Sequence, residues 1–150
     1  MEFIIKEFNA LSPKQLFEIY KLRSEIFIVE QNCAYQDVDD IDLISKHLMI
    51  IENGVLSAYA RLVPPGGTYK EPAIGRVVVK KSFRGKDLGK LLMQQAIDQL
   101  QDTYKDLDLV LSAQSYLLKF YSDLGFKTEG EEYLEDNIPH TKMRLKSFKP

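Results

Sequence analysis

The stretch from Arg76 to Leu92, RVVVKKSFRGKDLGKLL, requires a strand, a tight basic turn and a helix in immediate succession. An apolar β-branched run ends at Val79 and leucines at helical spacing resume from Leu88, so the turn lies where a strand hands over to a helix. Amides at the start of a helix are unpaired donors with partial positive charge, and they form an anion site without any special side chain. Lys80, Lys81, Arg84, Lys86 and Lys90 crowd this turn against one acid, Asp87. A phosphate suits that chemistry, although a turn glycine at Gly85 among solvated lysines would give the same pattern. Neither common phosphate loop fits, because G-x-G-x-x-G is absent and Lys86 is followed by Asp rather than Ser or Thr.

The rest of the chain orders its elements around this unit. A β-rich run, FIIKEF, precedes Ser12, which can cap a helix, with Pro13 suited to its first position and Gln15 completing a capping box. The pattern predicts a helix from about Pro13 to Val29, with Leu16, Phe17, Ile19, Tyr20, Ile26 and Phe27 at helical spacing. From Glu30 to Lys46 the chain is acidic and irregular, and it reads as a loop. Asn53-Gly54 then joins two β-rich runs as a hairpin. After the turn-rich VPPGGTYKEP come the strand AIGRVVV, a helix from Leu88 to about Thr103, the strand LDLVLSAQ, and a helix from Tyr116 to Leu124 closed by Gly125. A final pair of strands is expected within FKTEGEEYLEDNIPHTKMRL. The fold class is mixed α/β (α+β).

Composition sets the outer limits. With 150 residues, 45% hydrophobic and 28% charged, the chain can bury a core of its own, and residues 1–150 read as one domain. A formal charge of -2 argues against nucleic acid or an anionic membrane as partner. Cys33 is the only cysteine, which rules out an intrachain disulfide and a cysteine zinc cluster, and no metal is expected. The opening MEFIIKEFNA is charged at Glu2, Lys6 and Glu7, and no stretch approaches the ~20 apolar residues of a membrane span, so a cytoplasmic location is expected.

RVVVKKSFRGKDLGKLLM resembles the coenzyme A signature of the GNAT acetyltransferase superfamily, a strand followed by an R/Q-x-x-G-x-G/A turn and a helix whose amides hold a pyrophosphate. The signature runs through Arg84, Gly85, Lys86, Asp87, Leu88 and Gly89, with Asp87 where the pattern prefers glycine. Asp87 is expected to cap the helix, which also places a carboxylate near the pyrophosphate. LVLSAQSYLLKFYSDLGF is similar to the other half of such a site, carrying Phe120, Tyr121, Gly125 and Phe126, with Gln114 where the family often has asparagine. LRSEIFIVEQNCAYQDVDDID and EEYLEDNIPHTKM extend the likeness, to the ElaA-type branch, over nearly the whole chain.

The resemblance implies a GNAT acyl-CoA N-acyltransferase fold, a mixed central sheet flanked by helices with strands splayed around the cofactor. It implies acetyl-CoA as donor and a primary amine, on a small molecule or peptide, as acceptor. The implied cofactor contacts are Val77, Val78, Val79, Arg84, Gly85, Lys86, Asp87, Leu88, Gly89, Lys90, Gln114, Leu117 and Tyr121. A phenol of pKa about 10 beside a thiol of about 8.5 can protonate the leaving thiolate, which assigns Tyr121 the general-acid role, with a plain core aromatic as the alternative. A backbone N–H of the Val77–Val79 strand is the natural oxyanion donor, and no side-chain nucleophile is required.

The base that deprotonates the amine is not singled out by spacing. Glu30, Asp37, Asp39, Asp40, His47 and His140 all qualify, and Glu30 and His140 are carried forward as catalytic candidates. The segment carrying Arg23, Phe27, Glu30 and Gln31 before the aspartates also resembles acyl-homoserine lactone synthases, which implies Arg23, Phe27 and Asp39 as acceptor-binding residues. Four aspartates near Glu30 would favour a cationic acceptor, and a solvated loop capping its own turns is the alternative. A lactone synthase using S-adenosylmethionine and a non-catalytic acyl-CoA sensor are the rival functions, and a homodimer is left open.

Overall fold

The computed structural model describes residues 1–147. Strand β1 (Glu2–Glu7) leads to helix α1 (Pro13–Arg23), which opens on the expected capping box: Gln15 N–H donates to Ser12 Oγ at 3.0 Å and Ser12 N–H donates to Gln15 Oε1 at 2.9 Å. The α-helix does not run on to Val29. Residues Ser24–Glu30 wind as a π-helix, continued by Gln31 N–H donating to Ile26 O and Cys33 N–H to Ile28 O, each at 3.1 Å. Such wide turns are uncommon and concentrate at functional sites. The acidic segment that follows is not wholly irregular either, since it contains one helical turn, α2 (Ile41–Ile44).

Strands β2 (Lys46–Glu52) and β3 (Val55–Val63) meet at Asn53 and Gly54, whose φ values of 51° and 76° are those a type I′ hairpin demands. Then come β4 (Ala73–Val79), α3 (Leu88–Thr103), β5 (Leu109–Gln114), the short α4 (Leu118–Asp123), β6 (Lys127–Glu135) and β7 (Ile138–Leu145). Helix α4 starts later than expected because Ser115–Leu117 forms a 3-10 turn. One seven-stranded sheet results, in the order β1-β2-β3-β4-β5-β7-β6.

Its neighbouring strands are antiparallel except β4 and β5, which run parallel and are in register only at Ala73 opposite Val110. Beyond that pair β4 stays with β3, β5 stays with β7, and the sheet splits. Strand β4 also carries a bulge. Tyr59 faces Val78 and Arg61 faces Gly75, which leaves Arg76 and Val77 together opposite Ala60. Arg76 takes φ 50°, a left-handed conformation that a long side chain adopts only when its surroundings hold it there.

Two apolar layers cover the sheet. Leu88, Leu92, Met93 and Ala96 of α3 pack on Leu48, Ala60, Leu62, Ile74, Leu111 and Met143, while Ile19 and Leu22 of α1 and Ile26 and Phe27 of the π segment pack on Met49, Tyr59 and Val78. Among the described residues no helix is long and apolar enough to cross a membrane.

His47 sits fully inside the α1 layer. Its Nε2 lies 2.9 Å from the Asp42 carbonyl, which can only accept, so Nε2 carries the proton and Nδ1 accepts from the Tyr59 hydroxyl at 2.6 Å. Burial lowers its pKa from the ordinary 6.5 and keeps the ring neutral. A ring that is neutral when folded but chargeable when unfolded contributes its full stability above pH 6.5 and loses it as pH falls toward the lowered value. The urea midpoint is therefore expected to drop between pH 7 and about pH 5.5, and H47Q is expected to flatten that drop.

Candidate active site

The gap between β4 and β5 is a cleft of about 520 Å³. Lys80 N–H donates to Ser57 O at 2.8 Å, so by antiparallel alternation the backbone of its neighbour Val79 points away from β3 and into the gap. Val77, Val78 and Val79 line this side, while Gln114, Leu117 and Tyr121 line the other from β5 and the start of α4. Arg84 and Gly89 close the end nearest α3. Of the implied cofactor contacts, Gly85, Lys86, Asp87, Leu88 and Lys90 lie on the turn and first helical turn beyond the cleft wall. The Leu88 side chain is buried in the α3 core, so it can offer a ligand only its backbone.

Asp87 does not cap α3 as expected. It occupies the N-cap position with φ 57° and ψ 20°, and its side chain makes no capping hydrogen bond. The position needs a left-handed residue, which explains a preference for glycine, and aspartate is among the few other residues that adopt this conformation at small cost. Gly85, at φ 84°, gives the turn its other left-handed residue. The first amides of α3 are thus left without a side-chain acceptor.

Tyr121 is both the core aromatic and the cleft residue that the sequence offered as alternatives. Its ring meets Phe120 edge-on at 5.1 Å and Phe126 at 6.3 Å. Among the described residues its hydroxyl has no hydrogen-bond partner, and burial raises its pKa well above the ordinary phenol value.

The acidic segment serves another purpose than attracting an amine. Arg23 is fully buried, donating from Nε to Asp37 Oδ2 and from Nη1 to Asp42 Oδ1, each at 2.7 Å, and from Nη2 to the Asp37 carbonyl at 2.7 Å. It cannot touch an acceptor. Asp39 pairs with Arg61 at 2.6 Å and with Arg76 at 3.3 Å. Burial alone would raise the Asp42 carboxyl, but Arg23 and Arg61 hold it below its ordinary value. Arg23, Arg61 and Arg76 thus balance Asp37, Asp39 and Asp42, which leaves Asp40 as the exposed aspartate of the segment. It instead grips the bulge, since Arg76 Nη2 donates to the Asp37 carbonyl at 2.9 Å and the guanidinium lies 5.7 Å from the Tyr35 ring centre. Of the three expected acceptor contacts only Phe27 lines the cleft.

Glu30 lines it too, but in a fork with Arg84, Nη1 to Oε1 at 3.1 Å and Nη2 to Oε2 at 2.8 Å. The Arg84 hydrogen bonds hold its carboxyl below the ordinary value, which makes it a poor base. Nearby, Gln114 Nε2 donates to Gln31 Oε1 at 3.3 Å across the gap.

His140 is placed in the cleft wall together with residues the sequence pattern did not reveal. Its ring stacks on Tyr133 at 6.2 Å, and Ser112 Oγ shares a very short hydrogen bond with the Tyr133 hydroxyl. Tyr69 joins them, its pKa pushed up to about 12 by burial and then by Tyr133. Asp136 and Asn137, at φ 50° and 64°, form a tight turn that sets Glu135 opposite Ile138 and Tyr133 opposite His140. That dipeptide was the available signal. Reading it as a two-residue hairpin would have fixed the register and brought the group together.

A family model described as an acetyltransferase (GNAT) domain matches residues 26–147. A UPF0039 protein of Schizosaccharomyces pombe is 46% identical over 97% of both chains, and Protein ElaA of Escherichia coli is 38% identical over 90% of both. Among solved structures, an acyl-CoA N-acyltransferase from Pseudomonas aeruginosa superposes with a TM-score of 0.90 at 40% identity, covering 97% of this chain and 99% of that one.

Removing the arginine at the centre of the ion cluster would take one of two guanidinium partners from each of two buried carboxylates and leave them to Arg61 and Arg76 alone. R23A is expected to lose about 3–5 kcal/mol of unfolding free energy in urea titration, a loss too large for a solvated loop.

Proposed function

Because the chain belongs to the GNAT acetyltransferase family, in its ElaA branch, we propose that it is an N-acetyltransferase that moves an acetyl group from acetyl-CoA to a primary amine. The observation that carries this reading is the split between β4 and β5, lined by outward-facing strand backbone on one side and Tyr121 on the other. Acetyl-CoA, when bound, supplies the activated thioester. The free amides of α3, with Arg84, Lys86 and Lys90 around them, suit its pyrophosphate. Val79 offers backbone groups to the pantetheine amides as a neighbouring strand would, and Gln114 faces them from β5. A backbone N–H of β4 polarises the thioester carbonyl.

Tyr121 keeps its proton at ordinary pH because burial raises its pKa, and it yields that proton to the departing sulfur. To grip a phosphate, Arg84 must exchange the Glu30 carboxylate for it. The lactone-synthase reading is weaker, since Arg23 and Asp39 lie in the ion cluster and not in the cleft wall. The acceptor is taken to be a small molecule or peptide, in a reducing compartment that suits the lone Cys33.

Thiol release from acetyl-CoA with a panel of amines and peptides tests the reaction, and no coenzyme A binding at millimolar concentration would overturn it. Y121F is expected to lower turnover by about a hundredfold with coenzyme A affinity unchanged by calorimetry, and unchanged turnover at saturation would remove its role as acid. E30Q frees Arg84, and it is expected to bind coenzyme A about two- to fivefold more tightly, the range a partly exposed ion pair allows.

A further inference from the structure

The cleft wall also holds a polar group that none of the steps above uses. His140 Nδ1 lies 2.7 Å from the Ile138 carbonyl, which can only accept, so Nδ1 carries the proton and Nε2 is the basic nitrogen. The residue is only 6% exposed, yet it lines the cleft. Nε2 lies 3.4 Å from Glu135 Oε2, and Ser112 Oγ donates to the other carboxylate oxygen of Glu135 at 3.3 Å. Ser112 is tied in turn to Tyr133, whose ring stacks on His140.

The other groups around the imidazole leave Glu135 as its ionic partner. From β5 it meets the uncharged Gln114, which is paired with it across the strands, and Ser112. Lys142, two residues along β7, is engaged by Glu129 at 3.3 Å and lies 4.8 Å from the Tyr69 ring centre. Asp136 lies in the turn beyond Glu135, and Tyr69 reaches the group through Tyr133. Glu30, the other candidate base, is held in its fork with Arg84.

We propose that Glu135 is a positioning residue for deprotonation of the acceptor: the Ile138 carbonyl and the Tyr133 ring hold the neutral imidazole, and the Glu135 carboxylate, fixed by Ser112, accepts a hydrogen bond from Nε2 and stabilises the imidazolium after the ring takes a proton from the incoming ammonium. The proposal rests on the N-acetyltransferase reading. The ammonium gives one proton to Nε2 and attacks the thioester carbon as the free amine. As the N–C bond forms and the C–S bond breaks, the sulfur takes a proton from Tyr121, and the second proton lost by nitrogen restores the phenol through solvent. One proton per turnover is left on His140, and it passes to water beside Glu135, whose side chain is 46% exposed.

The test uses the full chain and a lysine-like amine that is acetylated. E135Q is expected to lower kcat/KM for that amine about tenfold near pH 7, with the deficit shrinking as pH approaches the amine's own value of about 10, and with acetyl-CoA affinity unchanged. E135D is expected to recover part of the loss, and the E135Q/H140Q pair to be no worse than H140Q alone. A loss equal at every pH, or independent losses from the two sites, would overturn the proposal. Nitrogen-15 NMR supplies a readout apart from turnover, because the chain has two histidines. Neutral His140 is expected to carry its proton on Nδ1, and the Nε2 signal is expected to shift in E135Q relative to the parent. A proton on Nε2, or no change in E135Q, would sink the positioning role. Absence of thiol release with every amine would instead overturn the N-acetyltransferase reading and the catalytic half of the proposal, while NMR still decides the positioning half.

Discussion

The molecule depends on two parallel strands that meet at one residue pair and then part. Strands inside a sheet normally satisfy their backbone donors and acceptors on both sides, and an unmatched polar group away from water is costly. Here β4 keeps β3 and β5 keeps β7, but neither keeps the other beyond Ala73 and Val110. The backbone of Val79 therefore faces a gap and not a neighbouring strand, its carbonyl accepting from Arg84 Nε at 3.2 Å, and the cleft is made by withholding a strand. The same gap is where the two faces of the sheet communicate. Tyr121 reaches it from the α3 layer, and Phe27 and His140 reach it from the other.

The gap is held open by charge as well as by packing. A guanidinium removed from water is tolerable only when its donors are met, and Arg23 meets this by holding Asp37 and Asp42 while lying near the rings of Tyr20 and Tyr59. The aspartates so fixed also take up Arg61 and Arg76 from β3 and β4. The segment after the π-helix thus acts on the sheet from outside, clamping the strand whose bulge shapes the cleft. An aspartate-rich stretch gives no sign of this in sequence, because its partners lie on distant strands.

Local chemistry was the legible part. The Ser12–Gln15 capping box, the Asn53-Gly54 hairpin, the α3 boundaries and the strand-to-helix turn each follow from neighbours within a few residues, and all are present. The π winding after Arg23 was not readable, since the same residues suit an α-helix and the wider turn is selected by how Ile26, Phe27 and Glu30 meet the sheet and Arg84. Aspartate before a helix suggests its usual capping habit, while at Asp87 its other habit, tolerance of left-handed backbone, is the one in use. Tyr121 could be placed from its motif. His140 acquired partners only once the β6–β7 register was known.

The bulge at Arg76 makes β4 a text read in two frames. Ile74 and Val78 are an even number of residues apart, which in an unbroken strand would put them on one face, yet Ile74 packs in the α3 layer and Val78 in the α1 layer. One extra residue between them shifts the frame. The same residues paired without the bulge would keep their apolar composition and their strand propensity intact. They would nevertheless exchange the faces of everything on one side of Arg76, sending Val78 into the α3 core and turning Val77 and Val79 toward the α1 layer. Spelling would be conserved and meaning lost, which is why AIGRVVV shows no alternation when read as a single line.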